Sequence, residues 1–144
     1  PAEYHELHAI EAVNGTLVAQ IRNHNSANRS ETLQTESTDG GKTWSVPHSI
    51  GVWGLPSHLL RLRDDRLMMT YGYRRKPFGN LARISADHGK TWSEPITISS
   101  DGANGDLGYP STVELPNGTL LTAWYEQMSD HPRAVLRLAK WSLL

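Results

Sequence analysis

The chain has 144 residues, with 14 Lys and Arg against 15 Asp and Glu and a formal charge of −1, so it fits one ordinary domain and nothing in its charge points to nucleic acid or an anionic membrane. It has no cysteine, which removes disulfides, thiol nucleophiles and Cys-ligated zinc. No apolar run approaches the ~20 residues that a membrane-spanning helix requires, so none is expected.

In chain order, residues 5–22 hold Asn14-Gly15-Thr16-Leu17 followed by an apolar strand, Val18-Ala19-Gln20-Ile21. Asn-Gly between alternating runs is a strong hairpin signal. Next comes Ser37-Thr38-Asp39-Gly40-Gly41-Lys42-Thr43-Trp44-Ser45. Residues 58–73 repeat the hairpin around Asp64-Asp65-Arg66-Leu67, and Ser85-Ala86-Asp87-His88-Gly89-Lys90-Thr91-Trp92-Ser93 follows. The two nine-residue segments lie 48 residues apart, and the match continues into Pro47/Pro95 and Ile50/Ile98. Residues 113–126 give a third hairpin around Asn117-Gly118-Thr119-Leu120. The chain then runs without a third nine-residue segment into 134–144, which reads as a final strand.

Sustained helical spacing of apolar residues is missing throughout, because Gly, Pro, Asn, Asp and Ser interrupt the chain every few residues. Each repeat therefore reads as strand, tight turn, strand, loop, strand, boxed turn, strand. Four strands in roughly 40–50 residues is the size of one propeller blade. The expected blades span approximately 1–52, 53–100 and 101–144.

The boxed turn has a local physical logic. Asp39 and Asp87 are placed to accept hydrogen bonds from backbone amides two or more residues on, and Gly41 and Gly89 supply positive φ. Trp44 and Trp92 are expected to bury their indoles against a neighbouring sheet. A calcium loop would need further oxygen ligands and a closing Glu, which are lacking, so no metal is expected.

This spelling resembles the Asp-box of sialidases and other bacterial-neuraminidase-repeat propellers. The resemblance implies an all-β, sialidase-like β-propeller, with about three four-stranded blades of an expected six. Three blades cannot close a ring. The chain is thus expected to be the C-terminal half of a longer enzyme, or to need self-association. It begins at Pro1 with no recognisable signal peptide, which leaves its compartment open.

Three stretches carry the functional resemblance, and a fourth departs from it. Residues 5–22 are similar to the sialidase segment that holds a catalytic Glu and, one hairpin later, an arginine of the substrate-binding triad. That places Glu6 and Arg22 in those roles. Gly105-Asp106-Leu107-Gly108-Tyr109-Pro110-Ser111 looks like the segment holding the nucleophilic tyrosine, here Tyr109. Trp124-Tyr125-Glu126 is similar to the motif whose Glu orients a triad arginine, here Glu126. The fourth stretch, Pro77-Phe78-Gly79-Asn80-Leu81-Ala82-Arg83, departs from the pattern, because Leu81 stands where relatives commonly have a triad arginine. Arg83 shares the Leu81 face under a period of two, and Arg74 and Arg75 lie on the preceding loop. Arg75 and Arg83 are therefore added to the substrate-binding candidates. His8 is read as hydrogen-bonding near the pocket or sitting in the blade, with no role in proton transfer. Asp106 reads equally as a general acid or a turn former and is not assigned as the acid.

The residue types suit the chemistry. A carboxylate nucleophile would approach the carboxylate of a sialoside against like-charge repulsion, whereas a neutral phenol avoids it. The phenol's ordinary pKa of ~10 calls for a base, assigned to Glu6. Arginine's planar fork matches the sugar carboxylate, assigned to Arg22.

The general acid of such enzymes comes from earlier blades, and losing one removes ~10²–10⁴-fold of rate. The chain alone is expected to be inactive or nearly so. No cofactor is implied, and the expected partner is a sialoside or another carboxylated sugar. A non-catalytic carbohydrate-binding propeller and a purely structural or interaction propeller are the alternatives.

Overall fold

The computed structural model describes residues 3–143. Eleven antiparallel strands form three sheets, and the only helical element among the described residues is a single 3-10 turn at Ser26–Asn28. The first sheet contains β1 (Tyr4–Glu11), β2 (Leu17–Asn23), β3 (Leu33–Ser37) and β4 (His48–Ser49), in that spatial order. The second contains β5 (Ser57–Arg61), β6 (Leu67–Tyr73), β7 (Gly79–Ser85) and β8 (Ile96–Ser99), again in sequence order. The third contains β9 (Leu107–Glu114), β10 (Leu120–Gln127) and β11 (Ala134–Trp141).

The expectation of three four-stranded units is thus corrected for the last one, which has three strands among the described residues. In the first two sheets the fourth strand follows the boxed turn. Residues 128–143 contain no such turn, and no strand follows β11 in the described chain.

The three β1–β2-type hairpins close in the same way. Thr16 N donates to Asn14 Oδ1 at 3.1 Å, Arg66 N to Asp64 Oδ1 at 3.2 Å, and Thr119 N to Asn117 Oδ1 at 3.1 Å. The next position needs positive φ, supplied by Gly15 at 83° and Gly118 at 79°. Asp65 occupies it in the middle hairpin at 68°, a region where a short polar side chain is tolerated best after glycine.

Strand β6 is the centre of the molecule. Its run Leu-Met-Met-Thr-Tyr-Gly is buried on both faces, as a continuous apolar strand should be. Leu67, Met69 and Tyr71 join Val18, Val52 and Leu59 in one core cluster between the first and second sheets. Met68 joins Leu62, Ala82 and Leu120 in another, between the second and third. Period-two alternation therefore sends successive β6 side chains to opposite neighbours. A polar contact crosses the second interface, Thr112 Oγ1 donating to Thr70 Oγ1 at 3.2 Å, while within the third sheet Trp141 Nε1 donates to Thr122 Oγ1 at 2.9 Å.

Both boxed turns have the same internal bonding. Asp39 Oδ1 accepts from Thr43 N at 2.9 Å, and Asp87 Oδ1 from Thr91 N at 2.9 Å. Gly41 N donates to Ser37 Oγ at 2.9 Å, and Gly89 N to Ser85 Oγ at 2.8 Å. Their tryptophans differ, which corrects the expectation that both are buried between sheets. Trp92 packs on the first core cluster and donates Nε1 to Gln34 Oε1 of β3 at 3.0 Å. Trp44 is 44% exposed and donates only to Gly41 O of its own turn, at 3.1 Å. The difference is positional: Trp92 has the preceding sheet to pack on, and no sheet precedes the first among the described residues.

Candidate active site

Two strand irregularities aim the central side chains. In the β1–β2 ladder Tyr4 pairs with Asn23 but Leu7 with Ile21, so His5 and Glu6 together oppose Arg22. In the β9–β10 ladder Ser111 pairs with Ala123 but Gly108 with Tyr125, so Tyr109 and Pro110 together oppose Trp124. Such bulges turn a side chain out of the regular alternation. At Tyr109 the turn is sharp, with φ at 51°, a value uncommon for a bulky residue.

A close backbone approach brings the β9 bulge to the second sheet. A Cβ on Gly72 would meet Gly108 Cα at 2.9 Å and Leu55 O at 2.9 Å. Only a residue without a side chain fits at the end of β6.

Glu6, Arg22 and Tyr109 meet as a result. The Tyr109 hydroxyl donates to Glu6 Oε1 in a short hydrogen bond and accepts from Arg22 Nη1 at 3.1 Å. Arg22 Nη1 also lies 3.2 Å from Glu6 Oε2, forming an ion pair. Arg22 Nε donates to His24 Nε2 at 2.9 Å, so the arginine is gripped from both sides and its side chain is only 14% exposed. Tyr109 itself is 45% exposed, at the edge of a cleft of about 180 Å³ lined also by Glu6, His8, Pro56 and His58.

The electrostatics follow from these contacts. Burial pushes the Glu6 carboxyl up, but the hydrogen bond from Tyr109 and the charge of Arg22 outweigh it and hold Glu6 below its ordinary value. The Tyr109 phenol is pushed up, first by its bond to Glu6 and then by burial and the Glu6 charge. At rest the base is ionised and the phenol keeps its proton. Burial and then the Arg22 charge lower His24, which suits its role as an acceptor from Arg22. Burial lowers His8, and burial with the neighbouring His8 pushes His58 down to about 4.

A second group lies beside Tyr109. Tyr125 stacks at a tilt, with ring centroids 5.9 Å apart, and donates its hydroxyl to Asp106 Oδ1 at 2.8 Å. Arg74 Nη2 donates to Tyr125 Oη at 3.3 Å, and its guanidinium sits 5.9 Å from the Tyr109 ring centroid. Arg22 and Arg74 therefore both address Tyr109. Sequence reasoning did not single out Tyr125, although alternation in β10 marks it: Trp124 and Glu126 are buried on one face, which turns Tyr125 to the other.

The remaining candidates go elsewhere. Arg75 stacks on Trp53, with its guanidinium carbon 3.9 Å from the ring centroid. Arg83 gives Nε to Tyr71 Oη at 3.1 Å and Nη1 to Ser93 O at 2.6 Å. Leu81 and Arg83 do share a face, but they line a separate cleft with Trp53 and Tyr73. Glu126 is 0% exposed and its Oε2 accepts from Trp124 Nε1 at 2.8 Å and Arg137 Nη1 at 3.1 Å. The arginine that Glu126 orients is Arg137, on β11, and not Arg22 or Arg74.

Among the described residues, no group of three or more His, Asp or Glu side chains is placed to hold a metal ion, and no helix is long and apolar enough to cross a membrane.

Repeated boxed turns on antiparallel sheets define a repeat protein of the sialidase-type β-propeller superfamily. Within it the chain belongs to the BNR repeat-like domain family, whose model matches residues 3–138. A protein of unknown function from Dyadobacter fermentans DSM 18053 is 33% identical with a TM-score of 0.83, the match covering 96% of this chain and 37% of that one. An α-L-arabinanase from Penicillium chrysogenum, solved with arabinobiose, is 17% identical with a TM-score of 0.72, covering 94% of this chain and 46% of that one. The Bacteroides ovatus xyloglucan PUL GH43B protein is 11% identical with a TM-score of 0.71, covering 96% and 27%. The chain thus spans less than half the length of each of these structures.

Proposed function

We propose that this chain carries the nucleophile half of a glycoside hydrolase site, with Tyr109 as nucleophile, Glu6 as its base and Arg22 as the anchor for a carboxylated sugar such as a sialoside. The observation that carries the reading is the Tyr109 hydroxyl donating to Glu6 while Arg22 contacts both. Tyr109 lies on a strand far in sequence from those of Glu6 and Arg22, and a bulge falls at Glu6 and another at Tyr109.

In the proposed reaction the Tyr109 oxygen attacks the anomeric carbon as its proton passes to Glu6. The glycosidic C–O bond breaks, and the departing oxygen takes a proton from an acid outside the groups assigned here. Water then attacks the anomeric carbon and gives its proton to the conjugate base of that acid, the Tyr109–sugar bond breaks, and the phenolate takes its proton back from Glu6. Because the phenol is held protonated at rest, proton transfer and bond formation must proceed together, which is the situation that calls for a fixed base. Arg74, whose guanidinium lies 5.9 Å from the Tyr109 ring centroid, is suited to steady the phenolate as charge develops.

A second reading, a carbohydrate-binding propeller without turnover, is favoured by one observation. Arg83 and Glu126 are committed to structural partners, which leaves Leu81 uncompensated in the carboxylate clamp.

A sialyl fluoride separates the readings, since fluoride departs without an acid. Slow turnover by the 144-residue chain is expected, falling about 10²-fold or more in Tyr109→Phe and in Glu6→Gln. Turnover unchanged in Tyr109→Phe would overturn the nucleophile assignment. Binding of N-acetylneuraminate with no turnover in either protein, weakened by Arg22→Ala, would instead select the binding module.

A further inference from the structure

The cleft that collects Leu81 and Arg83 has a chemistry of its own. It encloses about 400 Å³ between the face of the second sheet and the segment that follows β4, lined by Trp53, Tyr71, Tyr73, Leu81, Arg83 and Ser99 among others. That volume lies within the range of small-ligand sites. No lining residue is acidic.

The neighbouring Arg75 is held in an unusual way. Its guanidinium lies over the Trp53 ring at 3.9 Å, and Tyr73 meets the same indole edge-on, with centroids 5.8 Å apart at 87°. Among the described residues, no carboxylate forms an ion pair with Arg75, and no hydrogen bond consumes its donors. A guanidinium fixed by stacking keeps its in-plane N–H fork open for a planar anion. Arg83 contrasts with it, because its donors are spent on Tyr71 Oη and Ser93 O.

From this arrangement we infer a second ligand site, at Trp53, Tyr73 and Arg75, that takes a carboxylated sugar residue. Aromatic walls and the hydroxyls of Thr97, Ser99 and Ser100 suit a sugar ring, and the open fork of Arg75, which does not line the cleft itself but stacks on its Trp53 wall, suits the acid group. Arg74 and Arg75 turn in opposite directions from one loop, the first to Tyr125 and the second to Trp53. The site thus lies apart from the Tyr109 cluster, joined to it by the Arg74–Arg75 segment. The inference rests on the carbohydrate reading but not on Tyr109 acting as nucleophile.

The test follows the Trp53 indole N–H by NMR, assigned with Trp53→Phe, during titration of the 144-residue chain with a tetrasaccharide of alternating glucuronate and N-acetylglucosamine. A saturable shift is expected, with affinity about tenfold weaker in Arg75→Ala and about tenfold weaker for neutral chitotetraose. Tyr109→Phe should leave the shift and its affinity in place, whatever it does to turnover. The proposal is overturned by no saturable Trp53 shift, by equal affinity in Arg75→Ala, by equal affinity for tetraglutamate, or by loss of the shift in Tyr109→Phe.

Discussion

Two titrating side chains, His58 and Asp39, mark different parts of the acid limb of stability. His58 is half-buried, its Nδ1 has no partner, and its pKa is lowered from 6.5 to about 4. Between those values the unfolded chain binds a proton that the folded chain refuses, so stability rises with pH through that window and is lost on acidification. Asp39 is lowered from 3.8 to about 2, chiefly by hydrogen bonds from the Thr43 hydroxyl and amide. Its contribution is fully present above 3.8 and is lost as pH falls toward 2. Thermal midpoints recorded against pH should therefore slope less steeply between pH 4 and 6.5 in His58→Phe, with His8 and His24, both also lowered, keeping a share, and change only below pH 4 in Asp39→Asn. A slope above pH 4 undiminished in His58→Phe would show that the other groups carry it.

The boxed turn acts as an inter-sheet fastener through one buried glutamine. Gln34 of β3 is 0% exposed, and its Nε2 donates to Gly89 O at 2.7 Å while its Oε1 accepts from Trp92 Nε1 at 3.0 Å. Gln20 of β2 adds a third bond to Oε1 at 3.2 Å. Removing Gln34 leaves a carbonyl and an indole N–H without partners, each costing about 1–3 kcal/mol where water cannot reach. Gln34→Ala should lower unfolding free energy by about 3 kcal/mol in urea denaturation. A loss below about 0.5 kcal/mol would mean that water replaces the amide and that the turn docks by apolar packing alone.

Each outer sheet leaves an unpartnered apolar surface. Strand β11 is the edge of the third sheet and alternates outward residues, with Leu136 at 86% exposure and Leu138 at 63%. The first sheet shows Leu7, Val46 and half of Trp44. Exposed edges and patches of this kind favour association. Sedimentation should show concentration-dependent self-association of the chain, reduced in Leu138→Lys without loss of thermal stability. A monomer at all concentrations in both proteins would remove β11 as an associating edge.

Much of this protein was legible along the chain. Asn-Gly turns, period-two apolar runs and two copies of the boxed turn determine antiparallel strands and their grouping, because those preferences are set within a few residues. The resemblance of residues 5–22 and 105–111 to sialidase segments also pointed to Glu6, Arg22 and Tyr109, which the folded sheets bring into contact. What the sequence could not decide was aim. Two bulges, each one residue of slippage between paired strands, turn Glu6 and Tyr109 toward each other, and the strands that define them are paired only in the folded sheets. The same limit governs the arginines and the tryptophans. Arg74 and Arg75 are neighbours of one type, yet one faces Tyr125 and the other Trp53. Trp44 and Trp92 belong to turns with the same internal bonding, yet only Trp92 has a preceding sheet to pack on. Local chemistry writes the elements; which neighbour stands across from each side chain is a property of the packed sheets alone.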